Sequence, residues 1–215
     1  MKPAATARGG RTAARLTRDD WRDAAFAAVV DGGFDNVRVL AIADTLGVTR
    51  GSFYWHFADH ADLVAALLAR WREGELQSTR ALAADPADDP QADLERLLES
   101  ALAHAGSDLS NMRFELAVRG LGRRDPEVAR QLVELDRARL QLFRNKFERL
   151  TQDPEGAAEL ASLFYLAIVG GYQALSRPAT PLRMKAHLQG VIAKYLIHRQ
   201  ATARPSRSRG AAAAR

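Results

Sequence analysis

LAIADTLGVTRGSFYWHF, residues 40–57, is the stretch that decides the fold of this chain. Its first part predicts a short helix whose apolar face holds Leu40, Ile42, Ala43 and Leu46. Gly47 lies where that helix must end and the chain must turn. Thr49 can cap the free backbone N–H groups of a second short helix, and Val48 is the apolar residue before the cap. This pattern predicts a helix-turn-helix, the arrangement that places a helix in the major groove of DNA.

The sequence on either side of this motif predicts further helices and no strand. Thr17 and Asp20 make a capping-box-like start before the motif, and Asp59 caps a longer helix after it. Later helix starts pair a capping residue with proline, at Asp89-Pro90, Asp125-Pro126, Asp153-Pro154 and Thr180-Pro181. The predicted helices span about 17–31, 39–46, 49–57, 59–83, 90–105, 108–119, 126–151, 155–175 and 181–198. The expected fold is therefore all-α, with three helices in an N-terminal head and six in a second unit.

The positive charge of the chain lies in its two ends. The chain has a formal net charge of +5, but residues 1–16 and 199–215 contain basic residues and no acidic ones. Without these ends, which carry +4 and +5, the rest of the chain has a net charge of −4. Basic ends can bind phosphates, although a solvated disordered tail is an equal alternative for the C-terminal one. DNA affinity is therefore expected to depend on specific contacts more than on bulk charge.

Several protein classes are disfavoured by the composition. Cysteine is absent, which excludes disulfides and thiolate chemistry. No continuous apolar run reaches the roughly eighteen residues of a membrane span, and residues 1–15 lack the apolar core of a signal peptide. The histidines form no metal-binding pattern, and no glycine-rich phosphate loop follows a strand. We therefore expect a cytoplasmic protein with no cofactor, no metal site, no catalytic residues and no membrane contact.

The run IADTLGVTRGSFYWHFADHADLVAALL, residues 42–68, resembles the N-terminal signature of the TetR family of bacterial transcriptional regulators. The resemblance is close over residues 17–70, and beyond them it extends only to the number and length of the helices. It implies a helix-turn-helix head at 17–62 and an effector-binding and dimerisation domain at 63–198. Residues 1–16 and 199–215 are then a basic arm and a basic tail, both expected to be disordered.

The motif also indicates which residues contact DNA. Arg50 can donate two parallel hydrogen bonds to a guanine edge, and Thr49 and Ser52 can reach bases or phosphates, with Gly51 leaving the backbone open to the groove. The resemblance implies that Tyr54 and His56 contact phosphates. Two positions differ from the family: Arg38 replaces a usual threonine cap, and His60 replaces a usual lysine. The full set of expected DNA-binding residues is Arg38, Thr49, Arg50, Gly51, Ser52, Tyr54, His56 and His60.

The aromatic residues of the head are divided between core and surface. Trp21, Phe53 and Phe57 are expected in the core, where they hold the second helix of the motif against the first helix of the head. Trp55 is left open between packing beside the DNA backbone and lying exposed.

The resemblance further implies a homodimer and a small-molecule site. The dimer would pair the helices at about 155–175 and 181–198 with their copies, and Gly170-Gly171 would allow close approach there. Two heads would then bind a palindromic operator in double-stranded DNA. The effector is unidentified, and its pocket is expected among Trp71, His104, Met112, Phe114, Phe143, Phe147, Tyr165 and Tyr172, together with Glu115.

The function expected from the sequence is a ligand-responsive transcriptional regulator, a homodimeric repressor released from its operator when the effector biases the fourth helix. Two alternatives remain open: an activator with the same head, and a helical protein-interaction module that does not bind DNA. An enzyme is disfavoured because no catalytic arrangement is present.

Overall fold

The computed structural model describes residues 16–102, 109–176 and 182–202, and the side chains of Leu182 and Arg183 are left out of the description. All of the described secondary structure is helical, so the all-α prediction is confirmed. The helices are α1 (Arg18–Gly32), α2 (Val39–Leu46), α3 (Arg50–Phe53), α4 (His60–Ala84), α5 (Pro90–Leu102), α6 (Ser110–Gly122), α7 (Pro126–Thr151), α8 (Pro154–Leu175) and α9 (Leu182–Ile192). A 3₁₀ turn, Phe34–Asn36, precedes α2, and α9 continues as a π-helix, Ala193–His198, and a last α-helical turn, Arg199–Thr202.

The capping residues predicted from the sequence start most of these helices. Thr17 and Asp20 form a complete capping box at α1. The carboxylates of Asp59, Asp125 and Asp153 accept backbone N–H groups at the starts of α4, α7 and α8. Thr180-Pro181 lies outside the described residues. The capping residues therefore account for the starts of α1, α4, α7 and α8, which the sequence predicted well.

Three helices differ from the prediction. α3 is regular only over Arg50–Phe53, and the side chain of Thr49 makes no capping hydrogen bond, so the prediction of a capping role was wrong. α6 continues through Gly120 to Gly122, because Gly120 has open space around it and need not end a helix. The helix after α8 continues to Thr202, four residues into the stretch expected to be disordered.

Two hydrophobic cores organise the chain. The first is built by α1 to α4, and it also includes Phe114 and Val118 of α6 and Val128 and Leu132 of α7. The second is built by α5, α7, α8 and α9, with Met112 from α6. The core of the head is thus shared with two helices of the second unit, which the boundary expected near residue 62 did not anticipate.

Phe114 is the residue that ties α6 to the head. Its ring is fully buried and stacks on Phe26 of α1 at 4.8 Å between ring centroids. Phe34 and Trp71 lie at 5.9 and 6.0 Å from the same ring. A movement of α6 would therefore change the packing of α1, the 3₁₀ turn and α4 together.

Candidate DNA-binding face and effector cavity

The turn between α2 and α3 has the geometry that a helix-turn-helix requires. Gly47 adopts a left-handed conformation, with φ 69° and ψ 30°, which a side chain would strain. The N–H of Val48 closes the turn on the carbonyl of Ala43 at 3.0 Å. Phe53 is fully buried and packs edge-on against Trp21 at 5.3 Å between centroids. The turn and this aromatic contact fix α3 against α1.

The opposite side of α3 faces solvent. Thr49, Arg50 and Gly51 are exposed, Ser52 and His56 are half-buried, and Tyr54 is 53% exposed. Arg50 Nη2 donates to the hydroxyl of Tyr54 at 3.0 Å, so the two side chains are held beside each other. The exposed side of α3 thus presents a guanidinium hydrogen-bonded to a phenol. The buried side of the same helix is held in place by aromatic packing.

The charges of the head leave this face free to bind an anion. Arg18 pairs with Asp62, Arg22 with Asp19, and Arg70 with Asp23. Among the described residues, Arg38 and Arg50 pair with no carboxylate. These acidic residues therefore pair with cations outside α3, and the guanidiniums of Arg38 and Arg50 are left without a carboxylate partner among the described residues.

The two positions that differ from the family make contacts of their own. Arg38 is exposed and its Nε lies 3.3 Å from the carbonyl oxygen of Asp35, so it stands at the start of α2 without capping it. His60 Nε2 lies 2.8 Å from the carbonyl oxygen of Val37, which ties α4 to the segment before α2. The remaining ring nitrogen of His60 is the one left for a phosphate.

Trp55 is the residue of this face that sequence reasoning did not place. Its side chain is 84% exposed, the highest value given for any large apolar side chain in the described part. It directly follows Tyr54 and stands on the far side of α3 from the buried Phe53. The ring therefore lies exposed beside Tyr54, the second of the two alternatives left open by the sequence.

A small cavity lies in the second unit, among α4, α5, α6, α7 and α8. Its volume is about 150 Å³. The wall combines apolar and polar side chains, namely Glu75, Ser78, Thr79, Leu82, Leu97, Ser100, Ala101, Asn111, Met112, Glu115, Arg139, Leu142, Phe143 and Tyr172. Eight of these fourteen side chains are polar or charged, so the cavity offers hydrogen-bonding groups as well as an apolar side to a small molecule.

One end of this cavity is built from ionic side chains, which we call the cavity cluster: Glu75, Glu115, Arg119, Asp136 and Arg139. Glu115 is 3% exposed, and Arg139 binds both of its oxygens, at 2.8 and 2.9 Å. Arg139 also reaches Glu75 Oε2 at 2.7 Å. Arg119 joins Glu115 to Asp136 and to the hydroxyl of Tyr165. Each buried charge in the cluster therefore has an opposite partner.

The environment of the cavity cluster shifts the pKa values of Glu115 and of two neighbouring tyrosines. Burial raises the pKa of Glu115, but its bonds to Arg139 and Arg119 outweigh burial, so the pKa lies below its ordinary value of 4.5. Burial and a hydrogen bond to Asp136 raise the pKa of Tyr165 to about 12. Burial and the charge of Glu115 likewise raise the pKa of Tyr172. At neutral pH Glu115 is therefore ionised, and Tyr165 and Tyr172 are neutral.

Only some of the residues expected in the effector pocket line the cavity. Met112, Glu115, Phe143 and Tyr172 line the cavity. Trp71 and Phe114 lie in the junction with the head, Phe147 is fully buried in the second core, and Tyr165 bonds to Arg119 beside the cavity. His104 lies outside the described residues. Sequence reasoning missed Glu75 and Arg139, which lie in the apolar stripes of α4 and α7 where only core residues were expected.

A second, more open groove lies between the head and the second unit. Its volume is about 590 Å³, and its wall includes His60, Arg72 and Asp125. Because it faces solvent widely and its charged residues are mostly exposed, we take the smaller cavity as the candidate effector site. Within the described ranges, no group of three His, Cys, Asp or Glu side chains could hold a metal ion.

α8 and α9 carry an exposed apolar face. Leu163 and Leu166 of α8 are 54% and 64% exposed, and Met184 and Val191 of α9 and Tyr195 of the π-helix after it are also exposed. Gly170 opens onto free space, whereas a Cβ at Gly171 would lie 2.9 Å from Leu188 of α9. The adjacent glycines therefore serve different contacts, one facing outward and one inside the protomer.

By length and mean hydropathy alone, α8 is long and apolar enough to cross a membrane. An 18-residue window reaches a mean hydropathy of 1.3, and 28% of that window is buried within this single copy of the chain. The helix is this apolar because one side packs in the second core and the other side is also apolar.

The comparisons with known proteins agree with this geometry. The family model described as bacterial regulatory proteins, tetR family, matches residues 22–67. TtgR, an HTH-type transcriptional regulator of Pseudomonas putida, is 36% identical over 85 residues, which are 40% of this chain and 40% of TtgR. The match thus spans two fifths of that relative's length.

Solved structures of similar fold extend over most of the chain. A transcriptional regulator from Rhodococcus sp. Rha1 superposes with a TM-score of 0.71 at 18% identity, covering 88% of this chain and all of that one. A protein from Saccharomonospora viridis, solved in complex with choline, gives 0.67 at 21% identity, covering 84% of this chain and 95% of that one. At these identities the likeness concerns the fold.

A helix-turn-helix head in front of a helical second unit defines the class of helix-turn-helix transcriptional regulators. Within that class, the match over α1 to α4 is specific for one family. The N-terminal part of the chain, residues 22–67, is thus a DNA-binding head of the TetR type. This match agrees with the class of DNA-binding regulator expected from the sequence.

Proposed function

We propose that this protein is a homodimeric repressor that binds a palindromic operator through α3 and is released by a small molecule bound in the cavity. The observation that carries the proposal is the exposed Arg50 and Tyr54 pair on a helix anchored by Trp21 and Phe53. Arg50 would contact a base, and Tyr54, His56 and Arg38 would contact phosphates. A regulator of this kind acts on DNA in the cytoplasm.

The test of DNA binding is a titration of the purified protein with DNA from upstream of its own gene, at several salt concentrations. We expect sequence-selective binding that weakens as salt rises, because phosphate contacts release counterions. Arg50→Ala should lower the preference for the operator over unrelated DNA by about 1–3 kcal/mol. Arg80→Ala, at an exposed position of α4, is the matched control. Equal binding of all sequences by the wild type would contradict the proposal and favour the protein-interaction module.

The exposed face of α8 and α9 supports the proposed homodimer. Several exposed apolar side chains on two helices that pack against each other are typical of a protein-protein interface. Two heads facing the same side of DNA must match half-sites about 34–36 Å apart. Leu166→Glu would place a charge in the centre of the interface and should yield a monomer by light scattering with lower operator affinity. Ala81→Glu, on an exposed part of α4, should remain dimeric, and a dimeric Leu166→Glu would overturn this interface.

The position of the cavity supports release by an effector. α4 runs from the core of the head, at Leu67, to the cavity wall, at Glu75. α6 places Glu115 in the cavity wall and the adjacent Phe114 in the junction with the head. A ligand that changes the spacing of α4 and α6 would thereby shift the head, provided that it binds the two states with different affinity. The choline complex of the Saccharomonospora viridis protein supports a small-molecule role for a protein of this fold.

The sign of regulation depends on where the operator lies relative to the promoter. Transcription from the upstream region, measured in vitro with and without the protein, separates a repressor from an activator. We expect less transcript when the protein is present. An increase would favour the activator while leaving the DNA-binding proposal intact.

A further inference from the structure

The cavity has an excess of negative charge. Among the described residues, its wall carries the carboxylates of Glu75 and Glu115 and one guanidinium, that of Arg139. The wider cavity cluster adds one cation, Arg119, and one anion, Asp136, so the excess of one negative charge remains. Because the cluster lies beside a small enclosed space, this excess charge is felt by whatever enters the cavity.

The hydrogen bonds show which carboxylate oxygen in the cavity wall carries the excess negative charge. Glu115 accepts four hydrogen bonds, two from Arg119 and two from Arg139. Glu75 accepts one, from Arg139 Nη2 on its Oε2. Among the described residues nothing donates to Glu75 Oε1. Glu75 therefore offers the one carboxylate oxygen in the cavity wall that lacks a donor.

An anionic ligand is disfavoured by the same bonds. Both terminal nitrogens of Arg139 are already bonded to carboxylates, at 2.7 to 2.9 Å. A carboxylate ligand would have to displace Glu75 from Arg139 and then lie beside Glu115 and the displaced Glu75. Like charges at such distances in a partly buried site repel strongly.

The rest of the wall sets the size and polarity of the ligand. Leu97, Leu142 and Phe143 are buried and form an apolar side. The hydroxyl of Tyr172 lies in the same wall, has no hydrogen-bond partner within the described ranges, and remains protonated at neutral pH. A volume of about 150 Å³ matches that of engineered cavities that hold benzene. A ligand with one ring and one polar group fits this space.

We propose that the cavity binds a small organic cation, a protonated amine attached to a single ring or an apolar group of similar size. The ammonium group would bind Glu75 Oε1, and the apolar group would lie against Leu97, Leu142 and Phe143. The Tyr172 hydroxyl is a second acceptor for the ammonium. This inference rests on the proposed role of the cavity as the effector site, and it names the class of effector.

The test uses three probes of nearly equal shape: benzylamine, benzyl alcohol and benzoate. Calorimetric titration of the wild-type protein at neutral pH should give the tightest binding for benzylamine, by about tenfold over benzyl alcohol, and the weakest for benzoate. Glu75→Gln should reduce the benzylamine affinity about tenfold and leave that of benzyl alcohol unchanged. Glu75→Asp, which keeps the charge, should retain part of the preference.

The matched control is Glu73→Gln, which makes the same chemical change on α4 two residues away, at a side chain that is 63% exposed. It should keep the wild-type preference. The proposal is overturned if benzylamine does not bind at millimolar concentration, if benzoate or benzyl alcohol binds as tightly, or if Glu75→Gln keeps the preference. Operator binding measured on the same samples is a separate readout: retained operator binding with no amine binding contradicts the ligand class and leaves the DNA-binding function standing.

Discussion

Two clusters of buried charge lie along α7, and they differ in what surrounds them. The cavity cluster contains Arg139 and Asp136 from the middle of the helix. The other, which we call the loop cluster, contains Lys146 and Arg149 from its end, with Asp93 and Arg96 of α5 and Asp85 before it. Asp93 is 1% exposed and Lys146 4%. Both clusters hide carboxylates among cations, but only the first forms the wall of the cavity.

In the loop cluster, both oxygens of the central carboxylate, that of Asp93, accept hydrogen bonds. Both oxygens of Asp93 accept from Lys146 at 2.8 Å, and Arg149 adds a bond at 2.8 Å. The backbone N–H of Ala87 donates to the same carboxylate, and Arg149 binds the carbonyl of Ala87. These bonds fasten the loop between α4 and α5 onto the end of α7. Asp93 therefore has donors on both oxygens, whereas Glu75 in the cavity cluster has one oxygen without a donor.

This difference separates a structural role from a binding role. A buried ion cluster whose members all have partners stabilises a packing arrangement, and removing one member leaves an unpaired buried charge. A cluster that borders a cavity and leaves one acceptor free can change partners when a ligand arrives. Changes in the loop cluster should therefore alter stability, and changes at Glu75 should alter binding.

The largest effect is expected from Lys146→Met. It removes the closest cation from Asp93 and leaves that carboxylate buried with weaker compensation, so the free energy of unfolding should fall by about 3–5 kcal/mol. Urea unfolding followed by circular dichroism measures this change. Arg144→Met, at an exposed position of the same helix, should change it by less than about 0.5 kcal/mol. Equal losses in the two variants would show that the loop cluster is not structural.

A smaller loss is expected from Glu115→Gln. The variant weakens the bonds to Arg119 and Arg139, but each arginine keeps a second carboxylate, in Asp136 and Glu75. The free energy of unfolding should fall by about 2 kcal/mol, as for other hydrogen bonds to charged groups. The same urea titration measures it. A loss as large as that of Lys146→Met would mean that the cavity cluster contributes as much to stability as the loop cluster, which would contradict the difference between them.

Acid should destabilise the protein through both clusters. The pKa of Asp93 is raised by burial but lowered further by Lys146 and Ala87, so it lies below its ordinary value of 3.8, as that of Glu115 lies below 4.5. Carboxyls with a lowered pKa in the folded state stabilise it above their ordinary values. That stabilisation is lost as the pH falls from about 4.5 through their lowered pKa values.

Thermal unfolding between pH 7 and pH 3 measures this dependence. The melting temperature of the wild type should fall with increasing steepness below pH 4.5. Glu115→Gln should start lower and show a shallower fall, because it has one fewer such carboxyl. Glu73→Gln should follow the wild type, since Glu73 is exposed. Parallel curves for all three proteins would contradict the lowered pKa of Glu115.

The fold of the head could be predicted from the sequence because the turn and capping residues that determine it act locally. Gly47 needs a left-handed conformation, and Asp59 and Asp125 cap the helices that follow them, so each determines structure within a few residues of itself. Phe53 and Phe57 were expected in the core, and both are buried. At Thr49 the cap was predicted from residue type alone, and the side chain makes no capping hydrogen bond.

The cavity could not be predicted because its polar wall combines residues far apart in sequence. A usable signal was nevertheless present. Glu75 follows Leu67, Leu68 and Trp71 at helical spacing on the buried side of α4. Arg139 and Lys146 fall in the buried stripe of α7, Val128, Leu132, Leu135, Phe143 and Leu150. A charged residue inside an apolar stripe indicates a buried ionic partner, but periodicity alone identifies neither the partner nor whether a cavity lies beside it.

The smallest effect on stability is expected from Glu75→Gln. The side chain is 30% exposed and has one bond to Arg139, which keeps both of its bonds to Glu115. Exposed or half-exposed ion pairs contribute about 0–1 kcal/mol, so urea unfolding should change by no more than that. The same variant is expected to lose about tenfold in benzylamine affinity, whereas Lys146→Met should bind benzylamine as the wild type does under conditions where it is folded. If Glu75→Gln instead unfolded as easily as Lys146→Met, the two clusters would both be structural, and the unpaired oxygen of Glu75 would have no separate role.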